Sequence, residues 1–137
     1  MAKQRKRWPD SRLPRALHVL ALVKRQLNAI THDVIAASLA VHRELGPGLL
    51  ESAYEACLTF ELLARGIAIE RQKPLPLRYR GNILDCGYRL DLMVEGAVIV
   101  EVKSIDCFDP VHLAQMLSYL RLSGCKVGLL INFNVNG

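Results

Sequence analysis

Residues 88–104 read YRLDLMVEGAVIVEVKS, and the fold depends on how this stretch pairs with itself. Side chains alternate along a strand, so Glu101 and Lys103 share one face while Val98, Val100 and Val102 occupy the other. On the preceding strand Leu90, Leu92 and Val94 form an apolar set that alternates with Arg89, Asp91 and Met93. A two-residue turn at Glu95-Gly96 would set Asp91 against Val100 and mix the faces. A three-residue loop, Glu95-Gly96-Ala97, sets Leu92 against Val100 and Asp91 against Glu101. Three-residue hairpin loops with a glycine at the left-handed position are common, and a slip of one residue would flip every side chain. Burial of the valine face therefore selects the three-residue loop and brings the two acids together. Two converging carboxylates with an ammonium beside them can hold a divalent metal and activate a water, the chemistry of phosphodiester cleavage. The plainer alternative is a solvated sheet face, although two unpaired acids side by side repel each other.

Upstream of the hairpin, residues 28 to about 45 place Ile30, Val34, Ala37, Leu39 and Val41 at helical spacing. Gly46-Pro47-Gly48 breaks that helix. A second helix, from about residue 50 to 65, buries Leu50, Tyr54, Leu58 and Leu62 and stops at Gly66. One strand follows, around residues 67–70 or 75–80, with a turn at Arg80-Gly81-Asn82. Pro74 and Pro76 suit an edge strand or a strand entry. Downstream, Asp109-Pro110 supplies an N-cap and first position for a third helix, closed by Gly124. Residues 126–133, KVGLLINF, form a nearly continuous apolar strand, as expected where both faces are covered. The order is α-α-β-β-β-α-β, an α/β chain with a mixed sheet flanked by helices.

A chain of 137 residues, 51% of them hydrophobic, has enough apolar mass for one core. Its charge is uneven: residues 1–26 carry eight Lys and Arg against Asp10 alone, and residues 27–137 carry ten against twelve acids. Two units follow, a basic N-terminal extension over 1–26 and a domain over 27–137. The extension either grips nucleic-acid phosphates or is unstructured. Its apolar run at residues 16–23 contains His18, runs into Lys24-Arg25 and lacks a small-x-small cleavage site, so no export signal is expected. No apolar run approaches the roughly 20 residues needed to span a bilayer. Cys57, Cys86, Cys107 and Cys125 are widely spaced with no CxxC pair. Buried, reduced thiols are expected, hence a reducing compartment, the cytoplasm.

Gly48-Leu49-Leu50-Glu51-Ser52-Ala53-Tyr54, in the context VHRELGPGLLESAYE, matches the signature of the GxxExxY proteins, and the closing GLLINFN is similar to theirs. That family lies in the PD-(D/E)XK nuclease-like superfamily, and the resemblance implies a restriction-endonuclease-like αβββαβ core. Asp91 followed by Glu101-Val102-Lys103 resembles the superfamily's metal and lysine positions. Gln115-Met116-Leu117-Ser118-Tyr119 resembles the QxxxY element of its RecB-like nucleases. The likeness covers residues 27–134. Family members usually continue beyond the NFN strand, so either a sheet edge or part of a binding surface would lie uncovered where this chain stops.

The resemblance implies a nuclease dependent on Mg²⁺ or Mn²⁺, acting on DNA in preference to RNA. Asp91 and Glu101 would be metal ligands, with the Val102 carbonyl a third and Glu51 a direct or second-layer contributor. Lys103 would orient the water or stabilise charge on the phosphate; its alternative is a salt bridge to one of the acids. Glu51 would equally favour a helix dipole in the first turn, and Tyr54 a core anchor. Gln115 and Tyr119, four apart on one helix face and away from Leu113, Leu117 and Leu120, would bind phosphate or a metal-bound water. His42, resembling an upstream histidine of related nucleases, joins Tyr54 as a substrate-binding candidate, with helix-end capping as its alternative. His112 reads as solvated. The competing function is a nuclease-fold protein without turnover, serving as a nucleic-acid-binding or assembly module. No membrane partner is expected, and a homodimer is compatible with this reading without being required by it.

Overall fold

The computed structural model describes residues 29–136 in full and, ahead of them, the backbone of two short strands, β1 (Arg5–Lys6) and β2 (His18–Val23). The other residues of the basic extension, and with them the expected grip on phosphates, lie outside the described residues. Helices α1 (Ala29–Leu45) and α2 (Glu51–Ala64) come next, then strands β3 (Ile69–Pro74), β4 (Leu77–Tyr79), β5 (Asn82–Leu84), β6 (Arg89–Val94) and β7 (Val98–Lys103). Helix α3 (Pro110–Ser123) and strand β8 (Val127–Asn132) complete the chain.

The sheet has the order β1-β2-β8-β7-β6-β3. β6 and β7 are antiparallel and β7 and β8 are parallel, so the sheet is mixed. Helices flank it on both sides. Val34, Val41, Tyr54, Leu58 and Leu62 of α1 and α2 pack with Leu92, Val94, Val98, Val100, Val102, Leu129 and Ile131. Met116, Tyr119 and Leu120 of α3 pack on the opposite face with Met93, Ile99 and Leu130. β8 is buried along its whole length, as a strand covered on both faces must be.

The helix ends follow their local chemistry. Asp109 accepts from the Val111 amide at 2.7 Å, and the His112 side chain returns a bond to the Asp109 amide at 3.0 Å, a reciprocal cap. His112, expected to be solvated, is thereby committed to the cap. At the other end Gly124 takes the left-handed conformation, φ 75°, and its amide bonds to Leu120.

Five expectations change. Leu50, expected to be buried by the second helix, is its N-cap residue and stands 78% exposed. The two strand positions offered as alternatives are both occupied: β3 overlaps the first and ends at Pro74, and β4, within the second, pairs with β5 in a separate hairpin closed by Arg80 (φ 49°) and Gly81 (φ 78°). β3 is an edge strand, where a proline without an N–H is tolerated. Leu90 packs in the α3-side cluster, not with Leu92 and Val94, because the pairing with β3 skips the Gln72–Asp91 rung and the alternation breaks there. Of the two alternatives for what would lie uncovered, a sheet edge or part of a binding surface, the edge of β8 is paired, antiparallel, by β2 from His18↔Asn132 to Val23↔Val127. Finally, none of the four free thiols is fully buried: Cys57 and Cys125 are half-buried, Cys86 and Cys107 exposed.

Candidate active site

The hairpin pairs as Leu92↔Val100, Met93↔Ile99 and Val94↔Val98, the register selected by burial of the valines. Its loop is residues 95–97, with Glu95 at φ 53° as well as Gly96 at φ 63°. A left-handed glutamate costs energy, and two bonds to one neighbour hold it. The Glu95 amide donates to the Ala68 carbonyl at 2.8 Å, and its carboxylate accepts from the Ala68 amide at 2.9 Å.

Beyond Leu92 and Val100 the acids replace the backbone ladder. The Asp91 amide donates to Glu101 Oε2 at 3.1 Å, and the Val102 amide donates to Asp91 Oδ2 at 2.8 Å. Backbone donors rarely go unpaired, so this exchange draws the two side chains into one place. Glu101 is 3% exposed. Burial above all, then the hydrogen bond and charge of Asp91, push its carboxyl up to about 9, against the partial relief of the Asp91 amide and Lys103. Two carboxylates confined together cannot both ionise cheaply without a cation.

Lys103 pairs with neither acid among the described residues. Its Nζ lies 3.5 Å from Gln115 Oε1, and Gln115 Nε2 donates to the Tyr119 hydroxyl at 3.0 Å. Gln115 is exposed, but Tyr119 is buried among core residues, which corrects the expected helix face. The buried stripe of α3 runs through Met116, Tyr119 and Leu120, because Gly128 on β8 leaves room for the Met116 sulfur that a Cβ there would overlap. Burial first, then the charge of Glu101, raises the Tyr119 phenol above its usual range.

Glu51 lies next to this cluster without entering it. Its Oε2 accepts from the Ser104 amide at 3.1 Å, one residue past Lys103, and Ser104 Oγ donates to the Leu49 carbonyl at 2.7 Å. Tyr54 and His42 are not brought to the acids. Tyr54 is fully buried, and its hydroxyl bonds Gly46 and Leu49. His42 is 4% exposed, with Nε2 at 2.8 Å from the Val135 carbonyl. Tyr54 thus takes its anchoring alternative, whereas His42 neither reaches the acids nor caps its own helix end and instead fastens the closing segment at Val135.

Two residues escaped sequence reasoning. Glu55, an acid only 6% exposed on α2, accepts from Arg71 Nε at 2.9 Å and Gln72 Nε2 at 2.8 Å. Gln72, at φ 49°, also approaches Asp91 Oδ1 at 3.5 Å. The available signal was faint: Glu55 falls one residue after the buried Tyr54, at the margin of the apolar face of its helix.

Asp91 and Glu101 offer hard oxygen donors that suit Mg²⁺, an ion held by one or two carboxylates while keeping its own waters. Among the described residues, no three His, Cys, Asp or Glu side chains converge as a larger ligand set. A mixed sheet between helices, with an acid on one arm of the central hairpin and ExK on the other, is the restriction-endonuclease-like arrangement. A family model described as the PD-(D/E)XK nuclease superfamily matches residues 28–137, and the chain belongs to that superfamily. No curated protein and no solved structure matches it. Among the described residues, no helix is long and apolar enough to cross a membrane.

The raised Glu101 carboxyl has a measurable sign. In the metal-free protein it keeps its proton up to about 9, against an ordinary value of 4.5. The stability it contributes is complete below the ordinary value and is lost as pH rises toward the folded one. Unfolding free energies measured in chelator from about pH 5 to pH 9 should fall more steeply for the wild type than for Glu101→Gln, by at most about 1.4 kcal/mol per pH unit. Parallel curves would refute a proton held by this pair.

Proposed function

We propose that the chain is a divalent-metal-dependent nuclease that hydrolyses phosphodiester bonds in DNA in preference to RNA, and within its superfamily a GxxExxY protein. The observation that carries this reading is the meeting of half-buried Asp91 and buried Glu101 beside an ammonium that neither acid neutralises. Asp91 and Glu101 would hold Mg²⁺ or Mn²⁺, with the Val102 carbonyl as a further donor and Glu51, bonded to the Ser104 amide, acting on the ion only through its waters. Such an ion, when bound, polarises the phosphate and lowers the pKa of a coordinated water. Lys103, held toward the site through Gln115 and Tyr119, stabilises the charge that develops on phosphate. Gln115, on the exposed side of α3, adds a donor to phosphate. The free thiols, two of them exposed, support a reducing compartment such as the cytoplasm.

A second reading has its own observation. Each acid already accepts a backbone amide, so the pair serves the hairpin without metal, as in a nucleic-acid-binding or assembly module lacking turnover. Purified wild type and Lys103→Ala, incubated with single- and double-stranded DNA and RNA under Mg²⁺, Mn²⁺ or chelator, separate the two. Cleavage is expected with metal alone and should fall by about a hundredfold or more in the variant. Equal cleavage by both proteins would mean contamination. No cleavage in any condition, with nucleic acid still bound, would establish the second reading.

A further inference from the structure

Between the β4–β5 hairpin and the C-terminal half of α3 lies a groove of about 830 Å³. Lys73, Arg78 and Arg121 line it, and no carboxylate does. This is a local concentration, since residues 27–137 carry more acids than bases. Glu70 neutralises Lys73 at 2.5 Å. Arg78 and Arg121 have no ion-pair partner among the described residues. Facing these cations is an apolar wall that includes Ile83, 66% exposed, and Tyr88, 41% exposed. The Tyr88 ring meets that of Tyr119 edge-on, with centroids 6.0 Å apart. Tyr119 in turn bonds Gln115, which Lys103 approaches, so a run of side-chain contacts connects the groove's Tyr88 with the candidate site.

We infer that this groove holds a single strand of nucleic acid leading into the site, with phosphates on Arg78 and Arg121 and a base on Tyr88. The inference rests on the nuclease reading for its substrate and adds the strandedness and the path. Unpartnered arginines attract phosphates, and an exposed ring and aliphatic wall attract base faces. A duplex stacks its base faces internally and has no use for such a wall. An acidic peptide would use the arginines but would not need the ring.

The test is fluorescence anisotropy with a labelled single-stranded DNA oligonucleotide, using the full chain in chelator so that nothing is cut. For Arg78→Ala/Arg121→Ala the slope of log affinity against log salt should shrink by about 1.4, two single-strand phosphate contacts' worth. Tyr88→Ala should weaken binding about tenfold and Tyr88→Phe should restore it. Arg43→Ala/Arg65→Ala, on α1 and at the C-cap of α2 on the opposite face, should match the wild type. Groove variants indistinguishable from that control would overturn the inference. So would a duplex equally sensitive to Tyr88→Ala, or an acidic peptide whose binding shows the same Tyr88 dependence. Because binding is read without turnover, its failure leaves metal-dependent cleavage to be judged separately, and absent cleavage leaves the groove result intact.

Discussion

Asp91→Asn should lower metal-dependent cleavage by about a thousandfold or more while leaving the fold at least as stable as wild type. The two effects separate because Asp91 has two duties. Its Oδ2 accepts from the Val102 amide at 2.8 Å, and an asparagine carbonyl of the same size can keep that bond. Its charge, by contrast, is one of the forces pushing the Glu101 carboxyl upward. The neutral amide makes Glu101 easier to ionise and removes half of the carboxylate pair available to a cation. Loss of a group that stabilises charge only in the transition state costs about a hundred- to a thousandfold, and losing a metal ligand should reach or exceed the upper end. Rising stability with vanishing activity marks a site held together against its own electrostatics. Paired measurements of cleavage rate and thermal melting suffice; a variant that cuts within a few-fold of wild type would remove Asp91 from the chemistry.

Much of this geometry was legible because it depends on periods and turns. The register of β6 against β7 follows from the valines at every second position and from a glycine loop of the right length. Both ends of α3 follow from Asp109-Pro110 and Gly124. What stayed hidden depends on contacts between elements far apart in the chain. The buried stripe of α3 turns toward Met116 and Tyr119 because β8 offers Gly128 opposite the methionine sulfur, which no local pattern on the helix reveals. Leu90 changes sides because Gln72, at φ 49°, interrupts the pairing of β3 with β6. Glu55 looks like an ordinary helical acid until Arg71 and Gln72 close over it. The strand β2 was hidden for another reason: a basic flank made its apolar residues look like part of a tail, whereas the open edge of β8 gives them a partner.

Tyr54 ties the segment from Gly48 to Tyr54 into the core, and its replacement should produce the largest loss of stability. The ring stacks on Phe133 with centroids 4.6 Å apart and 10° between planes, so the helical signature and the closing NFN segment form one packed unit. Its hydroxyl donates to the Gly46 carbonyl at 2.5 Å and accepts from the Leu49 amide at 3.1 Å, pinning a loop whose glycines stand at φ 66° and 99°. Leu49 and Glu51 then grip Ser104, the residue after Lys103. Tyr54→Ala removes ring and hydroxyl together and should cost about 3–5 kcal/mol, the range for large aromatic truncations in a core. Tyr54→Phe keeps the stack, leaves two loop groups without a partner and should cost about 1–3 kcal/mol. Denaturant unfolding gives both values, and cleavage normalised to folded protein gives the decisive comparison. A hydroxyl confined to the loop leaves the normalised rate of Tyr54→Phe within a few-fold of wild type. A variant that melts like wild type yet no longer cuts would make that hydroxyl a substrate contact after all.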